Sequence, residues 1–381
     1  MLSCQKHLFQ LPAGGHYLNC AYMSPLLRAV EEAGIKAMQQ KRNPANIKPQ
    51  DFFTDAAKTR ALFAALIKGS ALQTVIIPSA SYGLQTAVNN LPLNKGDHVL
   101  MVGDEFPSGY YSVQHWCRQH SKSLKIIEAP AAADSGQAWT EKILEAINAD
   151  TTAVLMSSVH WTDGTKFDLQ QIGKRCRELG ALFIVDGTQS VGALAIDVKE
   201  YCIDALVCAC YKWLLGPYST GLAYFSEYFD NGSPLENSWL NRSNAAEFST
   251  LTKYTDEYTA GAGRYNMGEF SNFIHIPMIN QALTQITTWG VPDIQEYCGK
   301  LIEPLIQFLQ QNNFAVQHEA YRCNHLFGLS LPPHIDKQKL LQQLQEKQIA
   351  VSVRGEAIRI AVHVFNDEND MAALINALNA V

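Results

Sequence analysis

An acid and a lysine stand out as a pair. The apolar run Ala181–Val185 ends in Asp186, and Gly187-Thr188-Gln189-Ser190 follows it. A second apolar run, Asp204–Cys210, ends in Tyr211-Lys212. A crowded lysine can lose its proton and attack carbonyl carbons. An acid beside an aromatic nitrogen keeps that nitrogen protonated and turns its ring into an electron sink. Taken singly, Asp186 equally suits a helix cap and Lys212 a solvated loop. Their joint position, at the same ends of neighbouring strands, is what favours chemistry.

Other segments could complete a site. Pro78-Ser79-Ala80-Ser81-Tyr82-Gly83 follows the strand-like run Thr74–Ile77 and opens a helix. Small residues there let backbone N–H groups approach an anion, and the helix dipole favours negative charge. An ordinary Ser N-cap is the alternative. Glu105-Phe106-Pro107-Ser108 follows another strand, and Phe106 can cover a flat ring or simply pack. Ser157–Gly164, with His160 and Trp161, brings polar and aromatic side chains to a third strand end. Arg359 sits in the apolar run Ile358–Val364, where a guanidinium needs a partner. A substrate carboxylate and an internal acid such as Glu356 both fit. A nucleophilic amine, a ring acid and a phosphate turn are together the requirements of pyridoxal phosphate.

The elements that must position these groups follow from patterning. Between about Thr74 and Phe225, seven short β-branched or apolar runs alternate with amphipathic helical stretches. Continuous apolar strands separated by helices predict a mostly parallel sheet buried on both faces. Its ligand site then lies at the carboxyl ends of the strands. Pro25–Arg42 and Phe52–Lys68 are predicted helices before this block, and a loop-rich stretch from about Asp230 to Asn272 follows it. From Ile276 to Gln311 a helical region breaks near Gly290–Pro292, and an α+β pattern then runs to the end. The reading is an α/β protein with an N-terminal segment (1–25), a large cofactor-binding domain (26–272) and a small C-terminal α+β domain (273–381).

Bulk properties exclude several classes. The net charge of −6 shows no basic stripe for nucleic acid. No run approaches the roughly 20 apolar residues of a membrane helix, and the N-terminus lacks a secretory pattern. Nine scattered cysteines give no zinc-finger spacing, so no metal site is expected. Free thiols suit a reducing cytoplasm. G-x-G-x-x-G and P-loop patterns are absent from the sequence.

The sequence resembles the class V aminotransferase superfamily of fold-type-I pyridoxal-phosphate enzymes, which includes cysteine desulfurases, selenocysteine lyases, kynureninase and isopenicillin N epimerase. Tyr17–Tyr22 is similar to the family's opening segment. Val185–Ala193 and Cys210–Tyr224 resemble its Asp–x–x–Gln/His and lysine segments, and Arg359–Asn366 resembles its carboxylate-binding strand. The resemblance implies pyridoxal 5′-phosphate on Lys212, with Asp186 at the ring nitrogen and Gln189 at the phenolic oxygen. Ala80, Ser81 and Tyr211 fall at phosphate positions, Phe106 over the ring, and His160 in the region that contacts the cofactor oxygen. Arg359 falls at the substrate α-carboxylate, and Tyr22 is a second substrate-binding candidate. Trp161, Trp116 and Tyr265 are further pocket candidates, with core packing as the alternative.

The resemblance also implies a homodimer and a small amino-acid substrate. Some departures matter. Ala209 replaces a family serine, His160 or Trp161 stands where relatives have Asn, and Gly268-Glu269 stands at a usual Gly-Thr phosphate contact, with Arg264 close by in sequence. The desulfurases' mobile loop with its catalytic cysteine is missing between Val351–Gly355 and Arg359. Desulfurase activity is therefore not expected. The expected activity is an aminotransferase; a C–S or C–Se lyase, a kynureninase-like hydrolase or an epimerase is the alternative.

Overall fold

A computed structural model describes residues 2–130 and 135–380. The chain opens with β1 (His16–Tyr17), α1 (Arg28–Gln40), α2 (Asp51–Leu66), β2 (Thr74–Ile77) and α3 (Ala80–Asn89). It continues through β3 (His98–Val102), α4 (Pro107–Gln119), β4 (Ser123–Ile127), α5 (Ser135–Ala146) and β5 (Thr151–Ser157). Next come α6 (Leu169–Leu179), β6 (Leu182–Asp186), β7 (Ala205–Ala209) and β8 (Gly221–Phe225). After the loop-rich stretch, which holds only short 3-10 turns, come α7 (His275–Trp289), α8 (Val291–Gln311), β9 (Leu326–Leu329) and α9 (Lys337–Glu346). The chain ends with β10 (Ile349–Ala350), β11 (Ser352–Arg354), β12 (Ala357–Ala361) and α10 (Glu368–Leu378).

The seven apolar runs form one sheet in the order β2-β8-β7-β6-β5-β3-β4. Only β8 runs against its neighbours; the remaining pairs are parallel. Alternation explains why both faces are apolar. Along β6, Phe183 and Val185 join one core cluster while Ile184 joins the other. The same division separates Val154 and Met156 from Ala153 and Leu155 on β5. Each such buried aliphatic side chain contributes roughly 1.5–3 kcal/mol. At the edge, β4 is partly exposed.

Local signals set the helix ends. The Ser79 hydroxyl accepts the Tyr82 N–H at 3.2 Å and caps α3. Asp168 caps α6, and Gly180, at φ +65°, closes it. Gly290, at φ +80°, ends α7, and Pro292 lies in the first turn of α8, which is the expected break.

The C-terminal unit has a three-stranded antiparallel sheet in the order β11-β12-β9. The N-terminal segment is stitched to this unit. β1 runs parallel to β10, His16 Nδ1 lies 2.7 Å from Asp370 Oδ1, and Lys6 Nζ lies 2.9 Å from Asp367 Oδ2. α7 packs on α1 and α2, and the Thr59 hydroxyl donates to Asn280 Oδ1 at 2.8 Å across that contact. Among the described residues, no helix is long and apolar enough to cross a membrane. No group of three or more His, Cys, Asp or Glu among them could hold a metal ion.

Candidate active site

A cavity of about 250 Å³ opens at the carboxyl ends of β5, β6 and β7. Lys212, Asp186, Gln189, Ala80, Ser81, Phe106 and Tyr211 all line it. The strand-end rule therefore located the cavity.

Lys212 stands on a tight loop after β7. The Gly216 N–H donates to the Cys210 carbonyl at 2.8 Å, and the Leu215 N–H to the Lys212 carbonyl at 3.1 Å. Leu215 takes φ +53°, a conformation that costs a non-glycine residue about 1–3 kcal/mol. The loop thus holds Lys212 at its apex. The amine lies 5.8 Å from the Phe106 ring centre and 5.7 Å from that of Tyr211. Burial pulls its pKa down to about 8; Asp186 opposes this, and Arg359 and Arg354 add to it. At neutral pH roughly a tenth of the amine is then unprotonated, far more than for a free lysine.

Asp186 ends β6. Its Oδ1 accepts the Thr188 N–H at 2.8 Å. Burial pushes its carboxyl upward, and Thr188 and Lys212 restrain that rise. The Gln189 side chain is already engaged: Oε1 accepts the Trp213 indole N–H at 2.9 Å, and Nε2 donates to the Ala21 carbonyl at 3.2 Å. One Nε2 hydrogen remains for a ligand. Ala80 and Ser81 occupy the first turn of α3, where the helix leaves backbone N–H groups unused.

Four expected residues lie elsewhere. His160 is buried outside the cavity lining; its Nε2 lies 3.1 Å from the Gly103 carbonyl and its Nδ1 2.8 Å from Thr162 Oγ1. Burial favours the neutral imidazole, but Asp163 and Glu105 outweigh it and raise the pKa. Trp161, the next residue, forms the wall instead. Tyr22 is exposed and outside the lining. Trp116 and Tyr265 belong to the core.

Arg359 is 1% exposed and sits beside the lining rather than in it. Its Nη1 donates to the Trp161 carbonyl at 2.7 Å. Glu356, the internal partner considered from sequence, instead pairs with Lys337 at 3.2 Å. Among the described residues Arg359 has no carboxylate partner, and its Nε is buried without a hydrogen bond. Arg264 does not reach the cavity; it donates to the Gly232 carbonyl at 3.0 Å and stacks on Tyr258.

Glu105 is a residue that sequence reading passed over. Its carboxylate accepts the Phe106 N–H at 2.8 Å and the Ser157 N–H at 2.6 Å, and it also binds the Ser157 hydroxyl. It ties the start of α4 to the tip of β5. The only available signal was a carboxylate directly after an apolar strand.

The site's composition has a counterpart among known proteins. The family model for aminotransferase class-V matches residues 34–374. The chain belongs to the class V aminotransferase family. An uncharacterized aminotransferase, YcbU, from Bacillus subtilis is 25% identical over 84% of this chain and 81% of its own. A probable cysteine desulfurase from Methanothermobacter thermautotrophicus is 22% identical over 85% of this chain and 83% of its own. Among solved structures, a lysine-to-alanine variant of C-DES with glycine covalently linked to its PLP cofactor superposes with a TM-score of 0.86. It is 19% identical, and the match covers 98% of both chains. The fold is therefore fold type I, as expected from sequence.

In this class V aminotransferase-family chain, a two-residue turn joins β11 and β12, at the place where the sequence resemblance implied a missing loop. Arg354 pairs directly with Ala357, and Gly355 takes φ +55°. A glycine at the first turn position suits a type II′ hairpin. Among the described residues, no cysteine lines the cavity. Cys323 is buried, and its thiol is pushed up to about 12 by burial.

Proposed function

We propose that this chain is a pyridoxal-phosphate enzyme acting on an amino acid, with Lys212 as the cofactor anchor and transamination as its reaction. The residues present fit the cofactor. A buried amine of lowered pKa, an acid, a helix N-terminus and an aromatic ring line one cavity. Lys212 is the attachment point for the cofactor aldehyde. Ala80 and Ser81 hold the phosphate through backbone N–H groups, with Tyr211 beside them. Phe106 would pack on the cofactor ring, and the free Gln189 hydrogen would be available to its phenolic oxygen. When bound, the cofactor supplies an electron sink for the carbon that loses a proton.

The chain's own groups do the rest. Asp186 holds a proton at the ring nitrogen. Arg359 takes the substrate carboxylate, which gives its buried charge the acid it lacks. Lys212, with its amine free, would take the α-proton and deliver it to the carbon of the cofactor's former aldehyde group. Transamination needs no group beyond these. The observation that carries the reading is Lys212 and Asp186 in one cavity, backed by an arginine without an acid. His160 is then a supporting residue behind the wall, and Tyr22 a rim residue.

We also propose a homodimer. Exposed Met38, Trp239 and Ile274, together with Phe52, Phe273 and Glu269, line one apolar depression that shares no lining residue with the cavity. The free thiols suit a reducing cytoplasm.

The test is incubation of the holoenzyme with pooled amino acids. Conversion of the cofactor to its amine form, with release of one matching keto acid per cofactor, is expected. Release of pyruvate or sulfide without the amine form would establish the lyase reading instead.

A further inference from the structure

The small sheet sets a polar face against Trp161, a residue of the cavity wall. Arg359 on β12 pairs in register with Ser352 on β11, and Arg354 lies two residues along from Ser352. Alternation puts Arg354, Ser352 and Arg359 on one face. The two arginines are diagonal neighbours, a relation that spans roughly 7–8 Å in an antiparallel pair. Gly328 stands opposite Arg359 on β9 and adds no side chain to that face.

Trp161 touches both arginines. Its ring centre lies 5.8 Å from the Arg354 guanidinium, and its carbonyl accepts Arg359 Nη1 at 2.7 Å. Trp161 is itself fixed, because its indole N–H donates to the Asp104 carbonyl at 2.6 Å. It also lines the cavity. Both arginines lie close enough to Lys212 to disfavour its charged form.

These charges are not balanced within the chain. The acid in the turn between the two arginines, Glu356, is taken by Lys337. Among the described residues neither arginine has an ion-pair partner. Arg354 donates only to the neighbouring Val353 carbonyl, at 2.8 Å. Two buried polar atoms on the same face, Arg359 Nε and Ser352 Oγ, have no hydrogen bond at all. Two adjacent cations and a buried hydroxyl without a hydrogen bond are costly unless anions meet them. One α-carboxylate serves Arg359 and leaves Arg354 and Ser352 unused.

We infer that Arg354 and Ser352 form a second anion subsite, so the substrate is an amino acid carrying a second anionic group on its side chain. This rests on the reading of Arg359 as the α-carboxylate site. A carboxylate or a sulfonate at the far end of the side chain has the required chemistry. The hairpin sets the spacing, because its two-residue turn holds Arg354 in register.

The test compares kcat/KM of the holoenzyme for L-aspartate, L-glutamate and L-cysteate with that for L-asparagine and L-glutamine. At least one acid is expected to exceed its amide, or for L-cysteate the L-asparagine value, by tenfold or more. R354M should shrink that preference at least tenfold, and R354K should keep part of it. Calorimetry with succinate and glutarate, which lack the reacting amine, should show binding that R354M weakens at least tenfold. Equal turnover of acids and amides, or an undiminished preference in R354M, would overturn the subsite. If no amino acid reacts although the cofactor is bound, the function reading fails instead, and the diacid titration still decides the subsite. Should R354M misfold, the wild-type acid-to-amide ratio and its diacid binding decide it.

Discussion

Lys212 is the residue on which the chemistry turns, and its environment explains why. A buried amine beside two guanidiniums gives up its proton near pH 8 rather than near the ordinary 10.5. The unfolded chain binds that proton more tightly, so the cofactor-free protein carries an unfavourable contribution below pH 8 that fades as pH rises toward 10.5. Lys212→Met should therefore stabilise the cofactor-free protein at pH 7, by up to about 3 kcal/mol. The gain should vanish through the same pH window, and melting temperatures measured across pH check it. For Asp186, the predicted variant is Asp186→Asn. It should keep the fold and lose turnover by about a hundredfold or more, because the ring proton is no longer held. Steady-state kinetics with matched cofactor occupancy reads this directly. Both residues were visible in the sequence because each ends a continuous apolar run. Glu105 was not visible as a site residue, and Trp161 was visible only as one of several pocket candidates. Their importance comes from contacts across strands, Trp161 to Arg354 and Arg359, Glu105 to Ser157, which no linear spacing reveals.

The strands were legible wherever burial on both faces removed polar residues, as in β7, whose five residues are all apolar and all buried. The pairing of β1 with β10 was not, because two residues carry no period. Nor was the shared face of Arg354 and Arg359 legible. It depends on the Gly355-Glu356 turn closing with no extra residue, and on the register that follows. The helix that opens the phosphate turn shows how closely elements must fit. A Cβ at Gly83 would meet Ile77 Cδ1 at 2.7 Å and Val207 Cγ1 at 2.8 Å. Glycine lets α3 sit directly on β2 and β7, which brings its N-terminus to the cavity. Gly83→Val should lift the helix, destabilise the protein by roughly 1–3 kcal/mol and weaken cofactor retention. Denaturation and dialysis against buffer measure the two effects.

At the scale of the whole molecule, the chain's two ends meet. Asp370 is buried, completes the cap of α10, and binds His16 and Asn366. Asp370→Ala should cost roughly 2–4 kcal/mol, since it removes a cap and leaves buried donors unpaired. Chemical denaturation gives that number. The N-terminal segment also reaches the site, because the Ala21 carbonyl holds Gln189 and the Tyr211 carbonyl accepts the Ser24 N–H at 3.0 Å. Loosening this end should therefore weaken cofactor binding as well as stability. The arrangement of large sheet, small unit and N-terminal segment has one purpose in this account, which is to place an amine, an acid and an arginine around one cofactor. Borohydride reduction of the holoenzyme followed by peptide mass spectrometry tests that claim most directly. The cofactor mass should appear on the peptide containing Lys212, and K212A should show neither the mass nor the visible absorbance band. A reduced cofactor on another lysine, or an unchanged band in K212A, would contradict the account.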